Sequence, residues 1–219
     1  MKVLFVGLAR TIWLFELALL NPTGMSLKGV IEEIGKRYRF AKVPANELDF
    51  DENRSLAFKA GTFTGARKIP LIVALNIYND GLVGDTLSTT DESTEFLNDL
   101  GKWLSDTYGL TAPKDRRVNY VSQIDFQMEQ PLANLNPQLQ PFAEVIEGYV
   151  NTKNPLELSS LQFWPEGFGK PGSPAPIKIE RKISAPFSAN HYFSQAPLAT
   201  SDHITLLTKF EALLKLEMK

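Results

Sequence analysis

A tight turn between two apolar runs places the strongest constraint on what this chain can fold into. The sequence Asn79-Asp80-Gly81 separates residues 69–78 from residues 82–88, and both flanking runs are rich in aliphatic side chains. Asn, Asp and Gly accept the positive φ angles that tight hairpin turns require. The pattern therefore predicts an antiparallel hairpin, and at least part of the chain must fold around an antiparallel sheet.

Helical patterns flank the hairpin on both sides. One helix is predicted over residues 26–38 and a second over residues 91–108, which Thr89 or Thr90 caps and Gly109 ends. The second helix carries an apolar stripe at helical spacing, as a helix that packs on a sheet needs. The stripe consists of Phe96, Leu100, Trp103, Leu104 and Tyr108.

Three more strands are predicted around these elements. Residues 11–20 are apolar on both faces, which is typical of a central strand. Residues 55–64 form a further candidate, and residues 117–128 alternate between apolar and polar side chains. The polar stretch 41–54 is predicted to be a loop.

The order strand, helix, two or three strands, helix, strand predicts the fold of residues 1–130. It indicates an α+β domain of the ferredoxin-like type, a split β-α-β sandwich with its helices on one face of an antiparallel sheet. Residues 131–219 are predicted to form a C-terminal α/β extension, packed on the first domain as one globular unit. The sequence shows no internal repeat.

The extension is predicted from weaker patterns. It comprises a helix over 140–150, paired strands over 156–164 and 177–183, and a final helix over 202–217. Seven of the twelve residues in 165–176 are Pro or Gly, which indicates a functional or mobile connection between the paired strands. Residues 184–199 are predicted to be irregular.

Composition excludes several classes of protein. Of the 219 residues 43% are apolar, and the formal net charge is −2, unlike a strongly basic nucleic-acid protein. The chain has no cysteine, which excludes disulfides, cysteine nucleophiles and cysteine-bound metals and fits a reducing compartment. Arg10 and Glu16 interrupt the apolar N-terminal segment, so we expect neither a signal peptide nor a membrane span, and a cytoplasmic location.

A histidine gives the one candidate for catalysis. His191 lies among hydroxyl and amide side chains, and Ser188 or Ser194 could form a Ser–His pair with it, oriented by Asp202. No nucleophile-elbow motif accompanies these residues. A small hydrolase that uses His191 is therefore the second alternative among our function hypotheses.

Acidic residues gather around the hairpin and the start of the second helix. Asp80, Asp85, Asp91 and Glu92 are close in sequence, and one or two carboxylates can hold Mg²⁺. Their spacing matches no calcium loop, and turn or helix-start positions explain each of them. Phosphate-binding glycine motifs are absent as well. We therefore expect no metal and no cofactor.

Basic residues with nearby aromatic rings give the first alternative, an RNA-binding or RNA-processing protein on a ferredoxin-like fold. Lys36, Arg37 and Arg39 surround Tyr38, and Arg117 lies at the start of the strand predicted over 117–128. Ring stacking combined with phosphate contacts is how sheets bind RNA. No motif typical of RNA-binding domains supports this alternative.

Aromatic residues on irregular segments favour a different reading. Trp164 and Phe168 lie in or next to the Pro/Gly-rich connection, and Phe187, Tyr192 and Phe193 lie in the segment predicted to be irregular. Such residues either wrap the protein's own core or anchor a partner. We expect the second case: a non-catalytic interaction or assembly subunit that self-associates or binds a protein partner.

Overall fold

The computed structural model describes residues 1–22, 24, 26, 28–44, 55–152, 154–170 and 173–216. These residues form an α+β protein with four helices and one antiparallel sheet of eight strands, which confirms the predicted class. Most of the loop predicted over 41–54, and residues 171 and 172 of the Pro/Gly-rich connection, lie outside the described residues. No helix in the described ranges has both the length and the apolar composition needed to cross a bilayer.

The regular elements follow one another in a simple order. The strands are β1 (Lys2–Leu14), β2 (Leu56–Thr64), β3 (Pro70–Tyr78), β4 (Gly81–Thr86), β5 (Arg117–Gln127), β6 (Ser160–Phe163), β7 (Ile177–Arg181) and β8 (His191–Ala196). The helices are α1 (Lys28–Arg37), α2 (Thr90–Tyr108), α3 (Leu139–Val150) and α4 (Thr200–Leu216).

Contacts divide the chain into two compact units, and both β1 and β5 contribute to each of them. The first unit comprises Gly7–Ser122 and Leu198–Thr200. The second unit comprises Met1–Val6, Gln123–Pro197 and the chain from Ser201 onward. The domain boundary proposed near residue 130 stays a prediction.

The first unit contains the predicted hairpin. Its strands follow the order β2-β3-β4-β1, with antiparallel pairing from β2 through to β1. Tyr78 pairs with Gly81 at the turn, and Val73 pairs with Thr86 at the far end of the hairpin. The prediction of this hairpin from the Asn79-Asp80-Gly81 turn is therefore confirmed.

Helix α2 packs on this sheet as its stripe predicts. Phe96, Leu97 and Leu100 are completely buried in the core of the first unit. Gly84 permits the close approach, because a Cβ atom there would lie 2.8 Å from the Leu97 side chain. At the start of α2 the Thr89 hydroxyl accepts a bond from the Glu92 N–H (3.3 Å), and Gly109 ends the helix at φ 70°.

The second unit has its own sheet segment and core. Here β7 pairs antiparallel with both β6 and β8. The unit's core residues come from β5, the turn after β5, β7, β8 and α4, and they are completely or almost completely buried. They are Ile124, Phe126, Met128, Leu132, Ile179, Tyr192, Leu207 and Leu214.

Two local predictions are wrong. The strand predicted over 11–20 ends at Leu14, and a short 3₁₀ turn follows at Leu17–Leu19. The segment predicted to be irregular contains a 3₁₀ turn (Phe187–Ala189) and then β8. Its period-two burial, with Tyr192, Ser194 and Ala196 buried, is the strand signal that its polar composition concealed.

The order of elements among the described residues repeats. The sequence β-α-β-β-β-α runs from β1 to α2 and again from β5 to α4. We call these stretches the first half and the second half of the chain. Three strands lie between the two helices of each half, where a ferredoxin-like order has two. The ferredoxin-like arrangement is therefore not confirmed, and the repeat was not visible in the sequence.

Candidate functional site

One face of the second unit's sheet combines charged, hydroxyl and aromatic side chains. Ser160 pairs with Glu180, and Glu180 pairs with Phe193, so these three residues form a row across β6, β7 and β8. Ile179 and Tyr192, next to them in sequence, point into the core. The row therefore lies on the face of the sheet away from that core. We call this surface the Phe193 face.

Three ionisable groups meet beside this row. The Lys182 ammonium donates to Asp125 Oδ2 at 2.6 Å, and His191 Nε2 lies 3.7 Å from the same oxygen. The Asp125 side chain is almost completely buried, whereas those of Lys182 and His191 are partly exposed. His191 Nε2 is itself buried and has no hydrogen-bond partner among the described residues. Asp125 therefore positions Lys182 through a hydrogen bond, whereas His191 Nε2 is close to Asp125 without a hydrogen bond.

The Ser–His pairs expected from the sequence do not form with His191. Ser194 is three residues further along β8 and therefore faces the opposite side of the sheet, in the core. Its hydroxyl lies 2.8 Å from His203 Nε2 instead. Ser188 is exposed in the 3₁₀ turn that precedes β8, and Asp202 is exposed at the start of α4.

The pair that does form, Ser194 with His203, is arranged for structure. The Ser194 hydroxyl donates its single proton to the Lys178 carbonyl at 2.7 Å, so it accepts from His203 Nε2. A general base would have to accept that proton instead. Burial lowers the pKa of His203 from 6.5 to about 4 and keeps the imidazole neutral.

The aromatic residues expected at an interface fall into two groups. Trp164 and Phe168 are exposed and form an edge-to-face pair with ring centroids 4.3 Å apart. Turns organise this segment, since the Phe168 N–H donates to the Pro165 carbonyl (3.1 Å). Phe187 is partly exposed beneath the Arg181 guanidinium, and Phe193 is half-buried on the Phe193 face.

Tyr192 is placed differently from the expectation, because it is completely buried and cannot touch a partner. Its hydroxyl accepts bonds from the Leu132 N–H (2.8 Å) and from Arg181 (3.2 Å). Arg181 also donates to Glu157 (2.7 Å) and to the Phe187 carbonyl (2.9 Å). Desolvation raises the pKa of Tyr192. The residue joins core packing to a buried polar network.

An exposed apolar stripe on α3 was missed in the sequence. Phe142, Val145 and Tyr149 lie at positions i, i+3 and i+7 and are 61%, 53% and 88% exposed. Not one residue of α3 is buried. The helical period was visible beforehand, but the sequence cannot show which face of a helix its own fold leaves uncovered. We call these three residues the α3 stripe.

The four cations expected to contact nucleic acid lie in the first unit. Arg37 and Arg39 line one polar cleft together with Asp99, and Arg37 is bonded to Asp99 at 3.0 Å. Lys36 pairs with Glu33 (2.7 Å) on exposed helix surface, and Arg117 is exposed at the start of β5. The structure brings only Arg37 and Arg39 into one cleft, where Asp99 offsets part of their charge.

The acidic residues around the hairpin have structural partners. Asp85 accepts two bonds from Arg10 (2.7 and 2.8 Å) across the β1–β4 pair. Glu92 belongs to the cap of α2, and Asp91 occupies its first turn. Within the described residues, no three Asp, Glu or His side chains are arranged to hold a metal ion. Asp80 lies in the hairpin turn, where its carbonyl accepts the Phe15 N–H (3.0 Å).

Comparisons with known proteins identify no family for this chain. No protein-family model matches the chain, and no curated protein matches it. Among solved structures the chain is similar to one titled Methanococcus jannaschii TBP, at 18% sequence identity and a TM-score of 0.43, over 98% of this chain and 97% of that one. A likeness this distant carries no argument about function.

Proposed function

We propose that this protein is a non-catalytic subunit that binds a protein partner or a second copy of itself through the α3 stripe. The observation that carries the proposal is the stripe's exposure on a helix that buries no residue of its own. Burying an aromatic or aliphatic side chain contributes about 1.5–3 kcal/mol. Three such side chains on one helix face therefore contribute a substantial part of the burial energy that offsets the cost of association.

The geometry of the stripe fits a known mode of recognition. Anchors at i, i+3 and i+7 on one helix face are what an apolar groove in a partner accepts. Tyr149 adds a hydroxyl that can bond at the rim of such a groove. Aromatic anchors of this kind dominate the energy of protein interfaces.

Trp164 and Phe168 support the same proposal. Their rings contact each other edge to face and remain about half exposed, 57% for Trp164 and 45% for Phe168. Intramolecular wrapping would have buried them. We assign them to the partner-binding surface of the second unit as a further anchor. The absence of cysteine fits the cytoplasmic location that we propose for the complex.

The test is the mass of the protein purified gently from its native source. Light scattering should give a mass above the 24.5 kDa of one chain. The double variant Phe142→Ser/Tyr149→Ser should shift the mass toward a single chain, while its circular dichroism spectrum stays that of the folded wild type. Ile72→Ser is the matched control, because Ile72 is as exposed as Phe142 but lies on β3.

Two results would contradict the proposal. One is a wild-type preparation with the mass of a single chain and no second polypeptide. The other is a double variant that keeps the full mass of the complex. Trp164→Ala and Phe168→Ala, measured in the same way, show whether the ring pair contributes as well.

A further inference from the structure

We propose that the Phe193 face binds a nucleobase, with a preference for guanine, from a free nucleotide or from a single-stranded nucleic acid. An open cleft of about 600 Å³ lies on this face. Its walls include the side chains of Ser160, Glu180, Lys182, Ile183 and Phe193. The inference is independent of the proposed protein partner, which uses the α3 stripe and the Trp164–Phe168 pair.

The cleft offers apolar surface for stacking. Phe193 is half-buried on the sheet, which holds its ring in place, and Ile183 is fully exposed beside it. Phe5 is more than half exposed, and the Lys182 ammonium lies 5.7 Å from the ring centroids of both Phe5 and Phe193. Every base has a π face, so an aromatic side chain that is held in place can stack on any of them.

Two opposite charges flank the stacking surface. Glu180 and Lys182 are two residues apart, so they lie on the same face about 7 Å from each other. The bond from Lys178 to Glu180 Oε2 (2.5 Å) occupies one of the carboxylate's several acceptor sites. The bond to Asp125 occupies one of the three Lys182 donors. Both groups can therefore make further bonds to a ligand.

This pair of charges fits the edge of one base best. Guanine presents a carbonyl acceptor at O6 beside the N1–H and N2–H donors, so O6 can accept from Lys182 while the N–H groups donate to Glu180. Adenine has no carbonyl oxygen, uracil has a single N–H beside its carbonyls, and cytosine has no ring N–H, so guanine alone places two adjacent N–H donors beside a carbonyl. A site built to bond both kinds of group rejects analogues that lack one of them.

The charge balance argues for recognition of the base over the phosphate backbone. Asp125 neutralises Lys182, and Lys178 neutralises Glu180, so these four groups have no net charge. Backbone binding depends on uncompensated cations and weakens steeply with salt. Asp125 acts here as a positioning residue, and His191 lies next to it on the same face.

The experiment uses the full chain. Calorimetric titration measures the Kd of GMP, of AMP, and of a short single strand of RNA with or without one guanine. GMP should bind at least tenfold more tightly than AMP, with less than a threefold change in Kd between 50 and 500 mM salt. Phe193→Leu should weaken GMP binding at least about fivefold. Glu180→Gln should remove the preference for GMP over AMP.

A matched control and a fold check accompany these variants. Phe163→Leu replaces an exposed ring on β6 whose partner in the register is Ile177, away from the Glu180 row, and should leave GMP binding unchanged. Thermal unfolding identifies any variant that fails to fold. Tighter binding of the guanine-containing strand than of GMP assigns the site to single strands, and the reverse result assigns it to free nucleotides. Equal binding of GMP and AMP, absence of binding at millimolar nucleotide, or loss of binding with salt would overturn the proposal.

Discussion

The first helices of the two halves occupy the same place in the order of elements, yet only one of them has fully buried residues. Helix α1 has three apolar residues among ten, Val30, Ile31 and Ile34, and all three are buried. Helix α3 has seven apolar residues among twelve and buries none. The less apolar helix is therefore the one whose apolar side chains are buried in the core. The apolar side chains of the more apolar helix remain available to a partner.

The second helices of the two halves show that this contrast is local. Thr90 opens α2 and Thr200 opens α4, 110 residues later. At the same interval Leu97 and Leu207 are both completely buried, and so are Leu104 and Leu214 to within 2%. The last helices of the two halves therefore follow the same burial pattern. The halves differ at the helix that we assign to a partner.

Truncating one residue on each of the two first helices, α1 and α3, tests their difference in burial most directly. Ile34→Ala removes a side chain that is 1% exposed and should lower the free energy of unfolding by about 2–5 kcal/mol. Val145→Ala should change it by about 0.5 kcal/mol or less, because the side chain already contacts water. Urea denaturation of both variants measures the two effects.

Equal losses in the two variants would mean that α3 is packed in solution and would remove the support for a partner. The isolated chain must be used for this measurement, because a bound partner would bury Val145 and add a loss of its own. A loss at Val145 that appears only in the native complex would instead support our assignment of the α3 stripe.

The next test compares the effect of acid on two buried residues at corresponding positions in the two halves. His203 in α4 is buried with its pKa lowered to about 4, whereas Ser93, 110 residues earlier in α2, is also buried but does not titrate. The unfolded chain binds a proton at His203 near pH 6.5 and the folded chain does not. Stability from this group is therefore complete above about pH 6.5 and falls as the pH is lowered toward 4, by roughly 2 kcal/mol between pH 7 and 5.

The difference between two pH profiles isolates this contribution from that of the carboxylates. Wild type and His203→Gln should be denatured with urea at pH 7, 6 and 5, and the wild type should lose more stability than the variant at each step. Parallel profiles would show that His203 titrates normally when folded. NMR titration of the imidazole provides an independent value of its pKa.

Local sequence patterns predicted much of the fold and little of the site, and particular residues show why. The turn at Asn79-Asp80-Gly81, the cap at Thr89 and the end at Gly109 are local features whose effect does not depend on distant residues. The row of Ser160, Glu180 and Phe193 joins three strands, so it exists only once the register is fixed. The meeting of Asp125 with Lys182 and His191 likewise depends on tertiary structure.

Tyr192 gives a smaller test of how the two halves differ inside their cores. Leu82, 110 residues earlier, is a wholly apolar core residue, whereas Tyr192 accepts bonds from the Leu132 N–H and from Arg181. Tyr192→Phe leaves the buried Leu132 N–H without its acceptor and should cost about 1–3 kcal/mol. The free energy of unfolding measures this cost, and no change would mean that water replaces the hydroxyl.

The starts of α2 and α4 provide the finest comparison, because the two helices are capped in different ways. Thr89 precedes α2 and its hydroxyl accepts the Glu92 N–H, whereas Ala199 precedes α4 and has no side-chain acceptor. The Thr200 N–H bonds the Thr90 hydroxyl instead (2.9 Å), and the Thr90 N–H bonds the Thr200 hydroxyl (3.0 Å). Thr89→Ala should therefore destabilise the protein by about 1 kcal/mol, and Ala199→Ser should stabilise it by about 0.5–1 kcal/mol. Thermal unfolding measures both effects, and an Ala199→Ser variant without any gain in stability would show that the reciprocal threonine bonds already satisfy the start of α4.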